Sequence, residues 1–172
     1  MKHRCLQPAS DHPDFPILER WMREVATLLQ GFRYYAPDYR PFEELEVANV
    51  SLLVAAAAAA GYYPIAENAV SKGIGEGRAD LWFVAGKEAY SFEFKRAWNQ
   101  SSANQLARCM KLAVEDIKAV DPSESENFFA GVVAPVFNSS SIEIYENFDG
   151  SDFSFVIGSQ DPEVFLFFKR VR

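Results

Sequence analysis

Histidine is almost missing from this 172-residue chain: His3 and His12 are the only two, and both fall in an N-terminal stretch broken by Pro8, Pro13 and Pro16. A Ser/His pair or a histidine-based zinc set has nothing else to draw on, so imidazole catalysis is all but excluded. Cysteine is equally scarce. Cys5 and Cys109 stand far apart without Cys-x-x-Cys spacing, so neither a thiolate metal site nor a disulfide framework is indicated, and free thiols are expected. There is no basic run either. With 17 Lys and Arg against 24 Asp and Glu, the net charge is −7, which disfavours a protein that coats nucleic acid mainly through phosphate contacts. The longest apolar stretch, 47–60, contains Asn49 and Ser51 and falls short of the ~20 residues that span a bilayer. Residues 1–15 lack the apolar segment of a secretory signal. A cytoplasmic location with no membrane partner is the expectation.

What is present is core material. Hydrophobic residues make up 49 % of the chain and aromatics 15 %, including 15 Phe, which predicts a packed globule. The length fits one domain over 1–172, with residues 1–15 as an irregular leader.

Periodicity then orders the elements. Pro16 to Phe32 reads as a helix, with Ile17, Trp21, Val25 and Leu28/Leu29 at helical spacing and Gly31 at its end. Tyr34 to Pro41 is a connecting loop. Phe42 to Ala60 is a second helix, acidic at its start (Glu43, Glu44, Glu46) and rich in alanine towards Gly61, where small residues let it lie close to a sheet. Strands are expected over Tyr63 to Val70, Ala79 to Ala85 and Glu88 to Ala97, the last two joined by a tight turn at Gly86-Lys87. A third helix spans Ser101 to Val120, and Phe128 to Val136 is a continuous apolar run of strand length, expected to be buried and reached by a helical crossover. Ser140 to Phe148 is ambiguous between helix and strand; Phe153 to Ile157 and Val164 to Val171 read as closing strands. The order predicts an α/β fold with a mixed sheet flanked by helices.

The chemistry concentrates between Gly77 and Trp98. Alternation along the third strand puts Phe92 and Phe94 on one face and Ser91, Glu93 and Lys95 on the other. A hairpin closed at Gly86-Lys87 brings Asp80 across from the Glu93 to Lys95 end. Two carboxylates, a strand carbonyl between Glu93 and Lys95, and one ammonium suit a hard divalent cation that keeps several waters, the lysine offsetting the acidic charge. The bland alternative is a surface Glu/Lys pair with Asp80 capping a turn, each ion pair worth under ~1 kcal/mol. Asp116-Ile117-Lys118 has related spelling but lies in a predicted helix. Gly73 to Gly77 lacks the Gly-Lys-Ser/Thr of a phosphate loop and is followed by a strand, so it reads as a flexible connection. Arg96, Trp98 and Arg108 follow these residues and could touch a nucleic-acid strand or base, but solvated arginines and a core tryptophan are the preferred readings.

Asp80 on one strand and Glu93-Phe94-Lys95 on the next resemble the motif of the restriction-endonuclease-like PD-(D/E)XK superfamily. The resemblance implies a core of helix, three-stranded meander, helix and buried strand, here 42–136, with 137–172 supplying C-terminal strands that complete the sheet. It implies a nuclease using Mg2+ or Mn2+, with Asp80 and Glu93 as metal ligands and Lys95 as the catalytic lysine. Glu46, or failing it Glu43, matches the further acidic residue that members often carry on the first core helix. Gln105 matches a supporting glutamine of an exonuclease-like subgroup, although that subgroup's tyrosine is Cys109 here; Ala79 stands where the motif's name has proline. Lys72 and Arg78 would contact phosphates. The implied partner is nucleic acid, DNA before RNA, with room for a protein partner or homo-oligomer. The competing expectation, in keeping with the acidic charge, is an inactive nuclease-fold protein serving as a binding or interaction module.

Overall fold

The computed structural model describes residues 2–6, 11–72, 75–98, 102–158 and 161–172, with backbone alone for 67–72 and 75–78. In chain order the elements are β1 (Lys2–Cys5), α1 (Phe15–Tyr35), α2 (Glu46–Ala59), β2 (Tyr63–Lys72), β3 (Gly75–Ala85), β4 (Glu88–Arg96), α3 (Ala103–Lys118), β5 (Asn127–Pro135), α4 (Ser140–Glu146), β6 (Phe153–Gly158) and β7 (Pro162–Arg170). Among the described residues the strands form one seven-stranded sheet in the order β1-β6-β7-β5-β4-β3-β2. All neighbours are antiparallel except β4 and β5, which α3 joins as a parallel crossover. One core lies between the sheet and α1 with α2, the other between the sheet and α3 with α4. No helix among the described residues is long and apolar enough to cross a membrane.

Local chemistry explains most boundaries. Gly86 adopts φ +67° in the two-residue turn between β3 and β4, a conformation that costs glycine little at the first position of a hairpin turn. Gly61, at φ +79°, ends α2, and the alanines Ala56, Ala57 and Ala60 are buried where that helix packs. Ser102 caps α3 by accepting the Gln105 N–H through its side chain. β5 is buried at every position, as its unbroken apolar run requires.

Three expectations need correction. The leader is not wholly irregular: Lys2–Cys5 pairs with Phe155–Gly158 as β1. Lys-His-Arg-Cys carries no apolar alternation, and what draws it into the sheet is the outer edge of β6, whose backbone groups need partners. Gly31 does not end α1, which runs on to Tyr35 and stops before Pro37, a residue that disfavours helix at Ala36. Glu43 and Glu44 precede α2, Glu43 closing a 3-10 turn at Pro41–Glu43, so only Glu46 lies in the helix's first turn. The ambiguous Ser140 segment is a helix, α4.

The first core is centred on Trp21, whose ring lies 5.0 Å from Phe92, 5.3 Å from Phe83 and 5.7 Å from Phe168. Phe94 packs beneath the neighbouring strand so tightly that a Cβ on Gly131 would fall 2.4 Å from its ring. Gly131→Ala is therefore expected to destabilise the fold by about 1–3 kcal/mol, since a packed core ring has no room to yield. Thermal unfolding reads this directly, and an unchanged melting temperature would show slack between β4 and β5.

Candidate active site

The hairpin ladder between β3 and β4 runs from Ala85↔Glu88 to Leu81↔Phe92. Beyond it, β4 continues with its Phe94 and Arg96 amides turned towards the flank that β3 has left. Two carboxylates take them. Asp80 Oδ2 accepts the Phe94 N–H at 2.7 Å, and Glu46 Oε2, from the start of α2, accepts the Arg96 N–H at 3.1 Å. In an extended strand a residue's N–H and C=O point to the same flank, so the Phe94 carbonyl faces the notch where Asp80 sits. Glu46 and Asp80 also line a cleft of about 350 Å³ with Val47, Val50, Ser51 and Ala66.

Glu93 and Lys95 project from β4 towards α3. Glu93 is 6 % exposed. Lys95 Nζ donates to Glu93 Oε1 at 3.1 Å and lies 2.9 Å from Asp116 Oδ2 on α3. The four residues thus fall into two pairs: Glu46 with Asp80 on the cleft, Glu93 with Lys95 towards α3. They are joined through β4, because Glu93 and Lys95 flank Phe94, whose amide Asp80 holds. The oxygens that could hold a hard cation are the Asp80 and Glu93 carboxylates and the Phe94 carbonyl. Among the described residues no three His, Cys, Asp or Glu side chains gather closely enough to form a metal cluster by themselves.

Burial works to lower the Lys95 pKa, but the Asp116 hydrogen bond and the Glu93 charge outweigh it and hold the ammonium well above the ordinary lysine range. Lys95 is therefore a cation and hydrogen-bond donor at neutral pH. Its raised folded-state pKa means that the stability it contributes is complete below the unfolded-state value of about 10.4 and is lost as pH rises through the folded-state value. The melting-temperature gap between wild type and Lys95→Met is expected to stay level from neutral pH to about pH 9 and to shrink only above about pH 10. A gap that closes near neutrality would contradict this.

The spelling of Asp116-Ile117-Lys118 on a helix gives no reason to place Asp116 at the site, yet it reaches Lys95. The available signal was its place next to Ile117 on the buried stripe of the helix that crosses β4. Arg96 and Trp98 exchange their expected roles. Arg96 is 3 % exposed, donating to the Phe42 carbonyl at 3.3 Å and the Glu43 carbonyl at 2.7 Å, whereas Trp98 is 52 % exposed. Arg108 is exposed, as expected of a solvated arginine. Gln105 sits in the first turn of α3, and its side-chain oxygen is buried with no hydrogen-bond partner among the described residues. Lys72 ends β2 and Arg78 lies in β3, but their side chains fall outside what is described. Of the Gly73 to Gly77 segment, residues 73–74 lie outside the described residues, and Gly75 opens β3.

Compared with protein-family models, with curated proteins and with solved structures, the chain matches none.

Proposed function

We propose that this chain is a metal-dependent phosphodiesterase acting on DNA, built on a restriction-endonuclease-like core. The observation that carries the reading is the Asp80–Phe94 hydrogen bond of 2.7 Å, which anchors an aspartate at the residue flanked by Glu93 and Lys95. The order α2, β2-β3-β4, α3, β5, with β5 parallel to β4, supports it as well.

The donor set fits a hard divalent ion. Mg2+ commonly takes one or two carboxylates and keeps several waters, so a two-carboxylate site with a strand carbonyl is sufficient without a third acidic ligand. Asp80 and Glu93 would hold Mg2+ or Mn2+, with the Phe94 carbonyl between them. When bound, such an ion supplies positive charge against the phosphate and acidifies a water. The protein's own residues supply the rest. Lys95, kept protonated, presents a cation to the developing charge and orients the nucleophile. Glu46, fixed by the Arg96 amide, stands on the cleft beside Asp80 as an additional acceptor for a water proton.

A catalytically silent binding module on the same fold is the second reading. The net charge of −7 and the engagement of Lys95 with Asp116 favour it. Incubation of the purified chain with labelled DNA and Mg2+ or Mn2+ separates the two, together with metal titration followed by thermal shift. Cleavage and a metal-dependent rise in melting temperature are the expected results. Neither cleavage nor a shift with either ion would leave the module reading.

A further inference from the structure

The Arg96–Trp98 stack lies beside this site and takes no part in the chemistry assigned to it. One face of the Trp98 indole lies against the Arg96 guanidinium, 3.9 Å from the ring centroid, while the side chain remains 52 % exposed. A free surface tryptophan loses rotamer freedom when it binds anything. Here that loss has been taken on folding, because Arg96 is buried and tied to the Phe42 and Glu43 carbonyls. The ring is a preorganised plane, cationic support behind it and one side open.

Its position is close to the proposed chemistry. Trp98 follows Lys95 by three positions, so their Cα atoms are at most about 11 Å apart. The Arg96 amide between them is the one that Glu46 holds. α3 arrives at the same end of β4: Cys109 Sγ lies 3.7 Å from the Arg96 carbonyl. A half-covered aromatic plane beside a proposed phosphodiesterase site matches a nucleobase, which offers a π-face for stacking. A base inside a duplex has both faces covered by its neighbours. Only an unpaired or fraying base can present one.

We propose that Trp98 is the stacking platform for an unpaired base beside the scissile phosphate, making single-stranded DNA, or the frayed end of a duplex, the preferred substrate. The inference rests on the phosphodiesterase reading of the neighbouring carboxylates and adds the substrate class.

The test uses the full chain without divalent metal, so that binding is read apart from cleavage. Fluorescein-labelled single-stranded DNA, and the duplex of the same sequence, are titrated with wild type, Trp98→Ala and Trp98→Phe. Wild type is expected to bind the single strand more tightly than the duplex. Trp98→Ala is expected to weaken single-strand binding by roughly 5- to 100-fold and leave duplex binding unmoved, and Trp98→Phe to keep most of the affinity. Equal loss on both DNAs, no loss on either, or no binding of single-stranded DNA by wild type overturns the proposal; in the last case a protein partner becomes the better occupant of the ring. Should Trp98→Ala melt early, Trp98→Phe against Trp98→Leu carries the test, since stacking favours Phe and plain apolar packing does not. The two readings fail separately. Cleavage with Mg2+ that is indifferent to strandedness and to Trp98 removes the platform alone, whereas Trp98-dependent binding of single strands without cleavage under Mg2+ or Mn2+ removes the phosphodiesterase alone.

Discussion

Asp80→Asn is expected to abolish metal-dependent DNA cleavage while leaving the fold intact. The reason lies in the two tasks of this carboxylate. As an acceptor it satisfies the Phe94 N–H at 2.7 Å, and an asparagine oxygen can do the same. As a charge it would help to hold the divalent ion, and an amide cannot replace it. Asp80→Ala removes both functions and is expected to lower the melting temperature as well, since the Phe94 amide loses its acceptor at a cost of about 1–3 kcal/mol if no water replaces it. Glu93→Gln is expected to match Asp80→Asn in activity, with Lys95 keeping its contact with Asp116. Removing a single group that stabilises transition-state charge costs on the order of 10²–10³ in rate, and loss of the ion itself costs at least that. The readout is the rate of cleavage of labelled DNA in Mg2+, alongside thermal unfolding of each variant. Asp80→Asn and Glu93→Gln that cleave at the wild-type rate would sink the metal-site assignment, because these two carboxylates are the ligands it names.

Trp21→Ala is expected to bring the largest loss of stability. The indole is fully buried and meets Phe83, Phe92, Phe94 and Phe168, and its Nε1 donates to the Leu53 carbonyl at 2.9 Å. It therefore joins α1, α2 and three strands at one point. Truncation of a large buried aromatic costs about 3–5 kcal/mol, against a total stability of about 5–15 kcal/mol for a domain of ordinary stability. The effect also reaches the site, because Phe92 and Phe94 face Trp21 from the strand whose opposite face carries Glu93 and Lys95. Denaturant unfolding should show a lower midpoint with an unchanged slope. Trp21→Phe should fall between the two, keeping part of the ring contacts but losing the hydrogen bond. A midpoint that moves by the equivalent of less than about 1 kcal/mol would mean that the core closes without this ring.

Much of this was legible along the chain. A period of 3.6 marked α1 and α3, and uninterrupted apolarity marked β5 as a strand covered on both faces. The Gly86-Lys87 turn fixed which residues of β3 and β4 oppose one another. Alternation on β4 was enough to set Glu93 and Lys95 together and Phe92 and Phe94 opposite to them, because side-chain direction in a strand is a local property of two-residue period. Hairpin register likewise brought Asp80 to the far end of β4.

Other features are not local. Lys2–Cys5 becomes a strand only because β6 offers it an unpaired edge. Arg96 is buried because the Phe42 and Glu43 carbonyls, 54 and 53 positions away, accept from it, and Trp98 is exposed because it stacks on that arginine instead of entering a core. Asp116 reaches Lys95 only once α3 has crossed β4. So the chain by itself determined the elements and the direction in which each strand residue points, both governed by neighbours a few positions away. Tertiary structure alone decided how the charged groups pair: Asp80 with an amide, Glu46 on the same cleft, Glu93 and Lys95 towards α3. Hydrogen-bond partners drawn from distant segments leave no periodic trace in the sequence.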